Sequence, residues 1–184
     1  MRNVNYNRWF LLFCISLLVG CSQVQERSIA GNNPEPLVVF LVRHGEKVDQ
    51  SRNPELSSAG YIRAATLAHT LQNSQIQYVH STDFIRTMKT AEPAAAINGL
   101  EVEVYKPSDL KSFAAELRQK GGRHLVVGHS NTTPRMVELL GGESGTEINE
   151  PDEYDRLYVV TIDGSGEVNT VLLRYGLPFI PDYQ

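Results

Sequence analysis

Leu37-Val38-Val39-Phe40-Leu41-Val42-Arg43-His44-Gly45-Glu46 is the stretch on which the reading of this chain turns. Its first six residues are all apolar and rich in valine, with no polar face, which suits a short strand buried on both sides of a sheet. The run then stops at a cation, an imidazole and a glycine. Parallel strands joined by right-handed crossovers end along one edge, where open α/β folds hold their ligands, so Arg43 and His44 are expected at a site.

Working outward, Ser57 or Ser58 can cap a helix whose apolar face is Ala64, Leu67, Ala68 and Leu71, at helical spacing. A strand over 76–80 follows, then a helix striped by Phe84, Met88, Ala91 and Ala95, and an alternating strand near 101–105. Leu110, Phe113, Ala114 and Leu117 mark a third helix, and 124–128 is a second buried strand. Pro134, just after the possible caps Asn131 to Thr133, suits the first turn of a helix carrying Met136, Leu139 and Leu140. Strands over 157–162 and 168–174 flank the Asp163-Gly164-Ser165-Gly166 turn as a hairpin. The expected fold is α/β: a three-layer α/β/α sandwich with a mainly parallel central sheet and a late antiparallel hairpin, spanning 37–184.

Three strand ends carry polar clusters: Arg43, His44, Gly45 and Glu46; Ser81, Thr82 and then Arg86; and His129, Ser130 and Asn131. Two arginines and two histidines can therefore converge. Guanidinium forks match the oxygens of a phosphate, and an imidazole can donate to oxygen or attack phosphorus.

Leu41-Val42-Arg43-His44-Gly45-Glu46, Leu56-Ser57-Ser58-Ala59-Gly60, Arg86-Thr87 with Thr90-Ala91, and Val127-Gly128-His129-Ser130 occur in that order. Together they resemble the histidine phosphatase superfamily, which also contains the cofactor-dependent phosphoglycerate mutases. The resemblance spans roughly residues 37 to 174. It implies that His44 is the nucleophile that takes the phosphoryl group, that Arg43, Arg86 and His129 complete the phosphate pocket, and that water hydrolyses phospho-His44. Neither a metal nor a cofactor is needed in that scheme. The implied substrate is a small phosphomonoester; a phosphohistidine on a protein and mere phosphate binding without catalysis are the alternatives. Mutase activity fits poorly, because the connections are short and leave little sequence for a lid.

The chain departs from the family at the general acid. Many mutase-like members carry a Glu after the third strand, whereas this stretch reads Lys106-Pro107-Ser108-Asp109-Leu110-Lys111-Ser112. Asp109 is the nearest substitute, and it suits equally the N-cap of the Leu110 helix. Other residues stay open: His80 could line the pocket or meet solvent, and Glu46 and Lys47 could form its rim or a solvated pair. His69 and His124 receive no role. A serine-hydrolase elbow at Ser130 fails, since no glycine stands two residues later and no histidine follows His129. A metal site from His44, Glu46 and His129 would leave two arginines facing a cation. Specificity is expected from the loops 47–56 and 142–155.

Of the 184 residues, 41% are hydrophobic and 21% charged, the composition of one ordinary globular domain and not of a disordered or collagen-like chain. A formal charge of -4 supplies no broad basic surface, which argues against nucleic acid as a partner. Only Cys14 and Cys21 are present, so neither a disulfide framework nor a cysteine zinc site is available to the body.

Both cysteines fall in a leader. Arg2 and Arg8 precede an apolar run from Trp9 to Val19, the pattern of a secretory signal over 1–20. Leu18-Val19-Gly20-Cys21 resembles the lipobox of bacterial lipoproteins, which implies lipidation at Cys21, a membrane anchor and loss of Cys14; an uncleaved anchor is the alternative. Ser22 in place of Asp resembles lipoproteins sorted to the outer membrane, so the expected location is its periplasmic face. Residues 21–36, with Asn32, Asn33, Pro34 and Pro36, read as the lipidated tether.

Overall fold

The computed structural model describes residues 35–150 and 152–180, so the leader, Cys21 and nearly all of the tether lie outside the described residues. Its elements run β1 (Leu37–Arg43), α1 (Ser58–Leu71), β2 (Tyr78–Ser81), α2 (Ile85–Ile97), β3 (Val102–Val104), α3 (Leu110–Lys120), β4 (Gly122–Gly128), α4 (Thr132–Leu139), β5 (Arg156–Ile162) and β6 (Val168–Arg174). The six strands are ordered β3-β2-β4-β1-β5-β6. The first four in that order are parallel, and β5 and β6 add an antiparallel pair at the other edge.

Helices cover both faces, as the strand-helix alternation predicts. On one side Phe113, Ala114 and Leu117 of α3 and Met136 and Val137 of α4 pack on Val39, Leu41 and Val126. On the other, Leu67, Ala68 and Leu71 of α1 and Ala91, Ala94 and Ala95 of α2 pack on Phe40, Val42, Leu125 and Val127. Alternate residues of β1 thus feed both cores, which is why the run at 37–42 has no polar face.

One helical face differs from the expectation. The buried stripe of α2 is Thr87, Thr90, Ala91, Ala94 and Ala95, with Phe84 at the N-cap and Met88 only half-buried. Threonines take the inner face because their hydroxyls bond locally: Thr90 Oγ1 donates to Arg86 O, and Thr87 Oγ1 to Phe84 O. Apolar spacing alone therefore picked a stripe rotated from the true one.

Register places the site. Arg43 lies opposite Gly128 and Ser81 opposite Val127, so β1, β4 and β2 end side by side and His44, His129 and Thr82 leave them together. His44 N–H extends the ladder by donating to Gly128 O at 3.0 Å.

The turn after β1 depends on glycines. A Cβ on Gly45 would stand 2.8 Å from Gly60 O, and one on Gly60 2.3 Å from Glu46 O, so the strand end and the start of α1 meet backbone to backbone. Ser57 caps α1 there, its side chain accepting from Gly60 N. Because both clashes are with backbone, Gly60→Ala is expected to destabilise the fold by about 1–3 kcal/mol, the usual cost of overpacking. Urea denaturation of the variant against wild type measures it, and an unchanged midpoint would contradict the close approach.

Candidate active site

Arg43, His44, Arg86 and His129 come together at the ends of β1 and β4 and the start of α2. A cavity of about 640 Å³ is lined by His44, Lys47, Phe84, Arg86 and His129, by Pro107, Ser108 and Ser130–Thr132, and by Glu150. Arg43 is 1% exposed and is ion-paired with Glu150 of that lining.

His44 is held as one tautomer. Its Nδ1–H donates to Gly45 O at 2.7 Å, which leaves the Nε2 lone pair free. Burial lowers its pKa to about 2; the bond to Gly45 opposes this, and Arg43, His129 and Arg86 add to the lowering. The ring is therefore neutral and nucleophilic throughout the physiological range. Gly45 N–H in turn donates to Thr90 Oγ1 at 2.9 Å, tying the turn to α2.

His129 is oriented by a hydroxyl relay. Thr87 Oγ1–H donates to backbone carbonyls, so Thr87 Oγ1 accepts from Thr82 Oγ1–H, and Thr82 Oγ1 accepts from His129 Nε2–H at 2.9 Å. The lone pair of His129 Nδ1 then faces Arg86 Nη2 at 3.3 Å. Burial, followed by the Arg86 and Arg43 charges, lowers its pKa to about 4. The two site imidazoles stand edge to face, with centroids 5.4 Å apart.

Both guanidinium groups keep donors in hand. Arg43 Nη1 donates to Glu153 O at 2.9 Å, Nη2 donates to Glu150 Oε2, and its plane lies 3.9 Å from the Tyr154 ring centroid. Arg43 Nε, and Arg86 Nε and Nη1, are buried with no partner among the described residues. A buried donor without an acceptor costs free energy, and an oxyanion satisfies several at once. Gly128 keeps this end of the sheet tight: a Cβ there would meet Thr132 Oγ1 at 2.8 Å and Tyr105 OH at 2.9 Å.

Other predicted residues land elsewhere. Asp109 caps α3, its Oδ1 accepting from Ser112 N at 3.4 Å, and lines a separate cavity with His80, Glu103 and Lys120. Only its neighbours Pro107 and Ser108 reach the site, so the structure does not bring Asp109 to His44. The helix it starts needs a capped N–H, and a short polar side chain at that position turns back to supply it. Glu46 turns away from the cavity onto buried Arg63, with three contacts of 2.7–3.0 Å, so the His44–Glu46–His129 metal arrangement is not assembled. Among the described residues, no group of three or more His, Cys, Asp or Glu side chains is placed to hold a metal ion. His80 is buried and does not reach the site cavity: its Nε2–H donates to His124 Nδ1 at 2.9 Å, while His124 Nε2–H donates to Gly121 O. His69 is exposed.

Residues 39–111 match the histidine phosphatase superfamily, branch 1. That matched stretch carries Arg43, His44 and Arg86; His129 lies beyond it, and the sheet brings it in. No curated protein matches the chain. Among solved structures, the protein histidine phosphatase SixA complexed with tungstate is similar with TM-score 0.62 at 21% identity, covering 75% of this chain and 97% of that one. A mycobacterial glucosyl-3-phosphoglycerate phosphatase gives 0.59 at 14% identity, over 77% of this chain and 99% of its own. Phosphoglycerate mutase from Bacillus anthracis gives 0.58 at 14%, over 77% and 94%. At these identities the likeness is one of fold.

The residues missed from sequence are Glu150, Tyr154 and the Thr82–Thr87 relay. The relay stands inside a quoted motif, and its role follows only from which hydroxyl is left without a carbonyl. Glu150 and Tyr154 sit in the loop expected to set specificity, with no periodicity to single them out.

The buried imidazoles make stability depend on pH. His44 and His80, with pKa values lowered mainly by burial to about 2 and about 3, stay neutral in the native state while the unfolded chain protonates near 6.5. Their contribution is complete above that pH and is lost as pH falls below it, at up to about 1.4 kcal/mol per pH unit for each ring. Denaturation midpoints should fall steadily from pH 7 to pH 5, and a flat profile would contradict neutral burial.

Proposed function

We propose that this protein is a phosphatase that hydrolyses phosphomonoesters through a phosphohistidine on His44. The observation that carries the proposal is the pairing of a free His44 Nε2 lone pair with buried, unpartnered N–H donors of Arg43 and Arg86 beside it. The superfamily match and the phosphatases among the structural relatives support the same reading.

The substrate phosphate binds across the donors of Arg43 and Arg86, and His129 orients Arg86 through the contact of its Nδ1 with Nη2. His44 Nε2 attacks phosphorus in line with the leaving oxygen, and the guanidinium groups gain strength as charge shifts on the equatorial oxygens. Water then attacks phospho-His44 and releases phosphate. The scheme runs without metal, and the adjacent arginines would oppose a cation at the same place.

A second reading, phosphohistidine on a protein as substrate, is supported by the likeness to the protein histidine phosphatase and by the open mouth of the 640 Å³ cavity. A phosphoramidate leaves as an imidazole and demands less of a proton donor than an alcohol does.

The test is turnover of an aryl phosphate by purified protein. Activity should persist in a strong chelator and be inhibited by vanadate, which mimics the five-coordinate phosphorus. Rapid quench with labelled substrate should trap an acid-labile, alkali-stable phosphoenzyme that His44→Ala lacks. Arg86→Ala should weaken both phosphate affinity and rate. Binding of phosphate with no turnover of any phosphorylated compound would favour the non-catalytic alternative.

The place of action proposed is the periplasmic face of the outer membrane, by a lipid anchor on Cys21. Its support is the sequence Leu18-Val19-Gly20-Cys21-Ser22 after an apolar run. Several acyl chains hold a protein on a bilayer, since each buried CH₂ contributes about 0.8 kcal/mol. Mass spectrometry of the membrane-extracted protein should find a diacylglyceryl-type modification on Cys21, lost in Cys21→Ala; an unmodified mature terminus would overturn it.

A further inference from the structure

The site as described has a nucleophile and a phosphate cradle but no assigned group for moving the leaving-group proton. The following rests on the phosphatase reading above. An alkyl alcohol departs as a strongly basic alkoxide unless it is protonated, and a positioned acid typically contributes about 10²- to 10⁴-fold. His44 is occupied as nucleophile. Arginine does not release protons, and His129 has its Nε2–H committed to Thr82 and a lone pair on Nδ1. Asp109 is a helix cap that lines another cavity.

One carboxylate lines the cavity with His44 and His129 among the described residues, and it is Glu150. It belongs to the loop between α4 and β5. Oε2 rests on Arg43 Nη2, and Oε1 stands 3.4 Å from Lys47 Nζ. Arg86, His129 and Tyr154 are the other titratable or charged groups that sense it. The side chain is 46% exposed, so it can swing while its loop stays in place.

We propose that Glu150 is the proton-transfer residue of the reaction, giving up its seat on Arg43 to the substrate phosphate. The incoming dianion takes the Arg43 Nη2 donor that the carboxylate held. Glu150 then loses a cation and gains a doubly negative neighbour, and both changes favour its protonated form. Substrate binding thereby loads the acid. As the His44 Nε2–P bond forms and the ester P–O bond breaks, the Glu150 carboxyl gives its proton to the leaving oxygen, which departs as the alcohol. In the second step Glu150, now a carboxylate, takes a proton from water. The water oxygen bonds to phosphorus, the P–N bond breaks with its electrons returning to Nε2, and inorganic phosphate leaves. Glu150 ends protonated; on release of phosphate it gives that proton to solvent, the source from which substrate binding loads it, and the carboxylate returns to Arg43.

The test compares wild type, Glu150→Gln and Glu150→Asp on an alkyl phosphate and an aryl phosphate, whose leaving group needs no proton. For Glu150→Gln, kcat/KM should fall about 10²- to 10⁴-fold on the alkyl ester and far less on the aryl ester. Glu150→Asp should recover part of the alkyl rate. Rapid quench with the aryl ester should show phospho-His44 accumulating in Glu150→Gln, because the water step has lost its base. Equal loss on both esters would assign Glu150 to positioning Arg43 and overturn the proposal. So would an unchanged alkyl-to-aryl ratio with tighter vanadate binding, which would make Glu150 only an internal anion that phosphate displaces. Wild-type protein inactive on both esters would instead remove the phosphatase reading itself, and urea midpoints matching wild type guard against misfolding.

Discussion

A guanidinium that is always charged sits 1% exposed at the end of β1, and much of the site exists to satisfy it. Removing such a cation from water costs several kcal/mol unless good partners replace the hydration shell. Arg43 finds them in Glu153 O, the Glu150 carboxylate and the face of Tyr154, all from one loop. Its Nε has no partner among the described residues, and neither do two nitrogens of Arg86. The deficit is what makes the place an anion site: the fold fixes the cations and leaves the oxyanion to complete them.

That loop is itself held by a buried charge cluster. Arg156, at the first residue of β5, reaches both carboxylate oxygens of Glu153 and the carbonyls of Thr146 and Glu147. Arg174 of β6 joins Glu153 and Asp155. The antiparallel edge, which at first sight only finishes the sheet, therefore carries the segment that covers Arg43. Burial works against the Glu150 carboxyl, but Ser130, Arg43 and Lys47 outweigh it and hold its pKa below the usual range.

Neutral histidines are the second consequence of burial. His44 and His129 are kept uncharged by lost hydration and by the neighbouring arginines, while Gly45 O and the Thr82–Thr87 relay choose which nitrogen carries the proton. Desolvation alone would make both rings neutral without deciding which lone pair faces the cavity. The hydrogen bonds supply that direction, and a nucleophile at Nε2 depends on it.

Sequence by itself determined the layers and the four central side chains. A double-sided apolar run at 37–42, helical spacing at 64–71 and the strand-end positions of Arg43, His44 and His129 depend on local periodicity and on a rule about where parallel strands end. Those features are written in neighbouring residues. Local sequence suits Asp109 equally as acid and as cap, and in the fold its side chain accepts from Ser112 N at the start of α3 and lines a different cavity from His44. Glu46 likewise went to Arg63, a partner 17 residues away on α1 that no motif announced. Glu150 reaches Arg43 across 107 positions of chain. Such pairings are set by how a loop packs against a strand end, and a loop without periodicity carries no signal of where its side chains finish; only the tertiary structure decides it.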